Sequence, residues 1–356
     1  MVQRLSERLL DWFAVHGRHD LPWQHDPTPY RVWVSEIMLQ QTQVATVIPY
    51  YERFMAHFGA VSNLAQADID AVLHLWSGLG YYARGRNLHR AAAIVCDKYH
   101  GEIPRDLDAL IALPGIGRST AAAILALAYG DPHAILDGNV KRVLARYHQV
   151  DGYPGEQPAQ AKLWAHAEAH TPTNRVAEYT QAIMDLGATL CVRHKPTCGR
   201  CPLRAECAAC ANGTQSDYPT RKKRQPLPVK QTRFVIARNR DGAALLNRRP
   251  PTGVWGGLWS FPEIDAVDEI DPWCRKLGLN RVGEVTEHPV ISHTFTHFRL
   301  SIMPLEFVVE DRITAIMDSD RWLWYNVAEP ARIGLAKPVN QLLSTNRTSN
   351  RKEDTA

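Results

Sequence analysis

Apolar residues recur three and four positions apart through Val44–Phe58 and again through Arg118–Tyr129, the spacing of one face of an amphipathic helix. Prolines 104, 114 and 132 stand between such segments. Pro29 lies just ahead of a stretch rich in Trp, Val, Ile, Met and Leu, a position where proline favours a helix start. Residues 1–211 therefore read as all-helical. The stretch 212–230 has another character: Pro219, Pro226 and Pro228 surround the run Arg221-Lys222-Lys223-Arg224 and apolar residues are few. That composition predicts an extended, solvated linker. Short apolar runs bounded by turn residues return at Phe234-Val235-Ile236, Ala243–Leu246 and Phe298–Met303, which predicts a small α+β domain over 231–345. The polar end, 346–356, is expected to be a disordered tail.

The length of 356 residues suits two or three domains, consistent with that division. Net charge is only +4, too little to identify a nucleic-acid binder, so any basic footprint must come from where the charges sit. The longest apolar run, Thr120–Tyr129, is too short to cross a bilayer, and Glu7, Arg8 and Asp11 interrupt any signal-peptide core. A cytoplasmic protein without membrane attachment is expected. Four of the seven cysteines crowd into Cys191–Cys207. In a reducing compartment that clustering favours metal binding over disulfides.

The cysteines are spaced Cys191-x6-Cys198-x2-Cys201-x5-Cys207. Four thiolates in one short loop can wrap a tetrahedral zinc or a cubane iron–sulfur cluster, and the wide first gap modestly favours the cluster. That gap holds Arg193, His194 and Lys195, a cationic loop suited to phosphate. Residues 113–118 form a second candidate. Leu113-Pro114-Gly115-Ile116-Gly117 separates a helix capped by Asp106 from one starting near Arg118. Such a helix–hairpin–helix can offer free N–H groups to a DNA phosphate, or serve as a structural turn. Twenty residues on, Asp137 sits in Leu136-Asp137-Gly138-Asn139-Val140, placed either to stabilise positive charge on a sugar or to cap the next helix.

Hairpin, aspartate and four-cysteine loop in this order resemble the helix–hairpin–helix DNA glycosylases that carry a 4Fe-4S cluster. Trp33-Val34-Ser35-Glu36-Ile37-Met38-Leu39-Gln40-Gln41-Thr42-Gln43-Val44 and Gly78-Leu79-Gly80-Tyr81-Tyr82-Ala83-Arg84 resemble the MutY-type adenine glycosylases within that superfamily. The resemblance runs from about Leu9 to Leu343. It implies a six-helix lobe over about 22–131, and a cluster lobe from 1–21 plus 132–211 held by Cys191, Cys198, Cys201 and Cys207. It implies removal of adenine mispaired with 8-oxoguanine or guanine in double-stranded DNA, by a monomer of bacterial cytoplasm.

The same resemblance assigns roles. Glu36 would protonate adenine and Asp137 would meet the sugar, with Asn139 and Ser119 in support. A neutral Glu36 in a drier pocket and an ionised Asp137 are expected. Trp23, Leu39 and Gln181 would form the adenine pocket. Gln41 and Tyr81 would fill the gap left by the base, with Arg84, Gly115, Gly117, Arg193 and Lys195 on the DNA backbone. Endonuclease III-type relatives have a lysine where Ser119 stands. A hydroxyl forms no imine with C1′, so a bifunctional lyase is disfavoured. The segment Arg248–Trp259 and His293-Thr294-Phe295-Thr296-His297-Phe298 resemble the Nudix-like domain of the family, with Phe295, Thr296 and His297 on the oxidised guanine strand. The acidic R-E-x-x-E-E box of a Nudix hydrolase is absent after Phe261, so recognition rather than hydrolysis is expected. A non-catalytic iron–sulfur DNA binder is the rival of another class, and Glu36 with Asp137 argues against it.

Overall fold

The computed structural model describes residues 4–222, 226–311 and 321–344, so the expected tail lies outside the described residues. Helices follow one another up to residue 211: α1 Leu5–His16, α2 Pro29–Leu39, α3 Val44–His57, α4 Val61–Ala65, α5 Ile69–Trp76, α6 Ala83–Tyr99, α7 Leu107–Ile111, α8 Arg118–Tyr129, α9 Gly138–Tyr147, α10 Gln157–His170, α11 Val176–Thr189 and α12 Ala208–Ala211. Their starts follow local chemistry. The Thr28 hydroxyl accepts from Arg31 N–H ahead of Pro29, Asp106 accepts from Ala109 N–H at 2.8 Å, and Asp137 accepts from Val140 N–H at 2.7 Å. α8 stops at Gly130, whose φ of 72° is the left-handed turn that glycine adopts freely.

The chain forms two compact units, one from Met1–Gln66 and Asn87–Arg224, the other from Ala67–Arg86 and Gln225–Ala356. The first has a core of Leu9, Phe13, Leu144, Leu163, Ile183 and Leu186. Alanines 121, 122, 123 and 126 of α8 are fully buried, and their small side chains let α2 and α11 approach closely. The part of the expected linker nearest this unit is pinned rather than solvated. The buried Arg146 donates to the carbonyls of Gln215 and Tyr218, and the Tyr218 hydroxyl bonds Asp151 at 2.8 Å.

The second unit is built on a mixed sheet of β1 Val229–Arg238, β2 Ala244–Arg248, β3 Trp259–Ser260, β4 Glu263–Ile264, β5 Leu279–Glu287, β6 Ile291–Thr294, β7 Arg299–Asp311 and β8 Trp322–Tyr325, with α13 Ile270–Lys276 between β4 and β5. The path is β3-β2-β1-β7-β5, and β1 runs parallel to β7 over ten residue pairs. Both faces of the sheet are buried, as the period of two along β1 requires. Phe234 and Ile236 face one core with Leu300 and Ile302, while Val235 and Ala237 face another with Leu305 and Phe307. α13 covers the second face through Ile270 and Cys274. The first is covered by Val339 and Leu343 and by Leu73 of α5, a helix that precedes the sheet by more than 150 residues. Leu73 is wholly buried there, which is why the segment 67–86 belongs with this sheet.

Gly334 marks how tight that packing is. A Cβ at this position would lie 2.6 Å from Leu73 Cβ and 2.9 Å from Leu258 Cδ2. Gly334→Ala should cost about 1–3 kcal/mol. Gly59→Ala, whose methyl would meet nothing closer than 3.6 Å, should stay within about 0.5 kcal/mol of wild type. Denaturant unfolding of the two variants checks the contrast.

Candidate active site

Glu36 sits in the last turn of α2, and Asp137 at the N-terminus of α9. Each keeps a partial opening to solvent. Burial and the neighbouring charge of Asp137 push the Glu36 carboxyl up to about 8. Burial raises Asp137 as well, but there it is opposed by donors. Val140 N–H reaches one carboxylate oxygen at 2.7 Å, Asn139 Nδ2 reaches the other at 3.1 Å, and the positive charge of Arg142 acts in the same direction. Two adjacent carboxyls in unlike surroundings favour one retained proton, and the donors on Asp137 place that proton on Glu36.

The loop bearing Asp137 is fixed from several sides. The Ser119 hydroxyl, at the start of α8, accepts from Leu136 N–H at 2.9 Å. Asn139 passes the constraint on, since its side-chain oxygen accepts from Arg142 Nη2 at 2.8 Å. α11 lies so close that a Cβ on Gly187 would sit 2.6 Å from Asn139 Cβ. Arg142 was not singled out by sequence, although it stands five residues after Asp137 on an amphipathic helix. It also donates to the carbonyls of Gly187 and Cys191, each at 2.6 Å.

The cysteines are reached through this same helix. Arg146, one turn after Arg142, donates to the carbonyls of Val192 and Arg193 and approaches Cys191 Sγ at 3.4 Å. Cys191, Cys198 and Cys207 lie near enough to Cys201 for their sulfurs to act on it. Burial raises the Cys201 thiol to about 12, and the sulfurs of Cys191, Cys207 and Cys198 add to the rise. Four thiols are the soft donors that zinc and iron–sulfur groups take, although among the described residues no three His, Cys, Asp or Glu side chains are grouped closely enough to hold a metal ion. Cys210 stands beside Cys198 as a fifth thiol, outside the spacing that marked the other four. Arg193 and Lys195 are exposed, and with His194, Gln215, Ser216 and Arg221 they line a concavity of about 420 Å³.

The remaining expected residues fall into distinct settings. Trp23 is buried, its ring edge-on to Tyr51 at 5.4 Å, and Leu39 is half-buried. Gln181 is also buried, and its Nε2 donates to Asp185, which in turn accepts from Arg18 N–H at 2.8 Å and Arg18 Nε at 2.9 Å. Gln41 is exposed with φ 57°. Gly115 has φ 82°, and a Cβ there would lie 2.9 Å from Asn87 Cβ; Gly117, the residue before α8, has open space around it.

In the second unit Tyr81 is 47% exposed, with φ 47°. Arg84, expected on the DNA backbone, is instead buried. Its Nη2 donates to the Gly80 and Leu79 carbonyls, and its guanidinium lies over the rings of Trp76 and Tyr81. The chain reversal at Tyr81 turns those carbonyls inward, where they need a donor. Burial lowers the Arg84 guanidinium to about 10. Thr296 and His297 are exposed at the tip between β6 and β7, closed by Phe295 N–H donating to Phe298 O at 2.8 Å. The Phe295 ring folds back on Phe298 and Trp255.

Comparison with known proteins accounts for both units. Residues 34–169 match the HhH-GPD superfamily of base excision DNA repair proteins, and residues 233–345 match a NUDIX domain. An adenine DNA glycosylase of Buchnera aphidicola subsp. Acyrthosiphon pisum is 38% identical over 338 residues, covering 95% of this chain and 96% of that one. An adenine DNA glycosylase of Homo sapiens is 32% identical over 92% of this chain and 71% of its own. Among solved structures, a thermostable thymine-DNA glycosylase superposes with a TM-score of 0.53 and 28% identity, covering 58% of this chain and 95% of that one. A DNA complex of endonuclease III, at 22% identity and a TM-score of 0.51, shares the fold. Matched almost end to end by such relatives, the chain belongs to the adenine DNA glycosylase family.

Proposed function

We propose that the protein removes adenine mispaired with 8-oxoguanine or guanine from double-stranded DNA, hydrolysing the N-glycosidic bond and leaving the strand intact. The pairing of Glu36 with Asp137 carries this reading. Glu36, protonated at neutral pH, donates to N7 of the extruded adenine. The bond between C1′ and the base then breaks with its electron pair leaving on a neutral purine. Asp137 faces the cationic sugar that remains and stabilises it, by charge or by a transient bond, until water adds at C1′. Asn139 and Arg142 keep Asp137 aimed. The Ser119 hydroxyl is committed to Leu136 N–H, which supports a positioning role and no imine chemistry.

Adenine must leave the stack before any of this, and less energy is needed at a mispair. Trp23, Leu39 and Gln181 form its pocket, while Gln41 and Tyr81 fill the space it vacates. The amides around Gly115 and Gly117, with Arg193 and Lys195, hold phosphates without reading sequence. Thr296 and His297, on the tip that Phe295 anchors, contact the base opposite. A 4Fe-4S cluster would be held by Cys191, Cys198, Cys201 and Cys207. Bound there, it supplies the rigidity that keeps the cationic loop presented. Among the described residues no helix is long and apolar enough to cross a membrane.

The direct test is single-turnover incubation with a duplex carrying adenine opposite 8-oxoguanine, analysed with and without alkali. Breaks should appear only after alkali; breaks without it, or no base release, would overturn the reading. Glu36→Gln and Asp137→Asn should each slow release by about 10²–10⁴-fold while duplex binding persists. The pH profile should be bell-shaped. The rate falls as pH rises through about 8, where Glu36 gives up the proton it must donate, and falls again in acid as Asp137 becomes neutral. A flat alkaline limb would remove Glu36 from the acid's role. Cys201→Ser should lower iron content and visible absorbance of the purified protein, whereas Cys210→Ser should leave both unchanged; metal analysis decides.

A further inference from the structure

Tyr81 stands at the tip of a strained loop, with φ 98° at Gly78, 76° at Gly80 and 47° at Tyr81 itself. A tyrosine in left-handed backbone stays there only if its surroundings hold it. Some of the hold is local. Trp76 Nε1 and Arg84 Nη2 both donate to Gly80 O, at 3.2 and 3.1 Å, and Gly78 N–H donates to the Tyr82 hydroxyl at 3.2 Å.

The rest comes from the sheet. The Asp70 carboxylate, at the start of α5, accepts from Trp259 Nε1 at 3.2 Å and pairs with Arg248 at 3.4 Å. Arg248 and Trp259 face each other across β2 and β3, so one carboxylate grips two strands. The Tyr82 hydroxyl donates to Leu335 O at 3.4 Å, and Arg86 Nη1 donates to Gly256 O. Gly256 follows Trp255, whose ring packs at 5.4 Å on Phe295, the residue that anchors the Thr296–His297 tip. A continuous run of contacts therefore joins that tip to Tyr81: Phe295, Trp255, Gly256, Arg86 and the first turn of α6.

We propose that Asp70 and Arg86 are positioning residues that lock the Tyr81 loop to the C-terminal sheet, so that contact with the base opposite adenine at the Thr296–His297 tip sets the aromatic wedge. This rests on the glycosylase reading above and adds a specificity device to it. Asp70 and Arg86 touch neither the base nor the sugar. They act through Tyr81, and they govern how strongly 8-oxoguanine is preferred over guanine.

The test is a double-mutant cycle on that preference. Single-turnover rates are measured at subsaturating protein on duplexes with adenine opposite 8-oxoguanine and opposite guanine. The variants are Asp70→Ala, Tyr81→Ala and the double variant, with thermal melts alongside. Each single substitution should lower the preference by at least about fivefold, and the double variant should lose no more than Tyr81→Ala alone. Asp70→Asn keeps an acceptor for Trp259 and should recover much of the loss. Should Asp70→Ala fail to fold, Arg86→Lys, which shortens the reach to Gly256 O, replaces it in the same cycle. Losses that multiply, or an unchanged preference in Tyr81→Ala, would overturn the coupling. Failure of the wild type to release adenine from either duplex would overturn the glycosylase reading itself.

Discussion

Asp137 holds one end of α9 and faces Glu36 with the same carboxylate. One oxygen closes the helix N-terminus through Val140 N–H, and the other takes the Asn139 amide. Placing a second carboxyl beside it, away from bulk water, is unfavourable unless one of the two stays protonated. The donors lie on Asp137, so the proton resides on Glu36. Much of the neighbourhood follows from keeping that asymmetry. Ser119 holds the peptide before Asp137, Arg142 holds Asn139, and Gly187 surrenders its side chain so that α11 can close on the loop.

The double use of Asp137 also shows what sequence could tell. Its position after Leu136 and before a helical segment suggested either a cap or a catalytic carboxylate, and the two are compatible because the carboxylate offers more acceptor sites than a cap consumes. Helix starts at Pro29 and near Arg118 were legible because proline and glycine act through their own backbone. Arg84 was not. Its inward turn depends on carbonyls exposed by the left-handed residue at Tyr81, which no spacing announces. Nor was the partner of α5 legible, since an amphipathic pattern says that one face is buried without saying against what. The stretch after Asn212 reads as polar and solvated, yet the buried Arg146 draws its backbone in.

Arg142 and Arg146 extend the argument from the carboxylates to the cysteine loop. They stand four apart on α9, so both point to one side of the helix. Arg142 grips the carbonyl of Cys191, and Arg146 those of Val192 and Arg193. The cationic loop is thereby fastened at its base by backbone acceptors, leaving Arg193 and Lys195 outside and exposed. A ten-residue helix is a rod of about 15 Å. It carries Asp137 at its N-terminal end and the loop's anchors along its length. In the proposed reaction the groups that hold the phosphates and the group that meets the sugar are referred to one rigid element. Loosening the loop would then cost more than affinity: a strand held in a shifted register presents its sugar to Asp137 at the wrong distance, and misplacement on the scale of an ångström is enough to slow a positioned reaction severely. In that proposed reaction a cluster at Cys191–Cys207 would serve hydrolysis through this geometry, because breaking an N-glycosidic bond transfers no electrons.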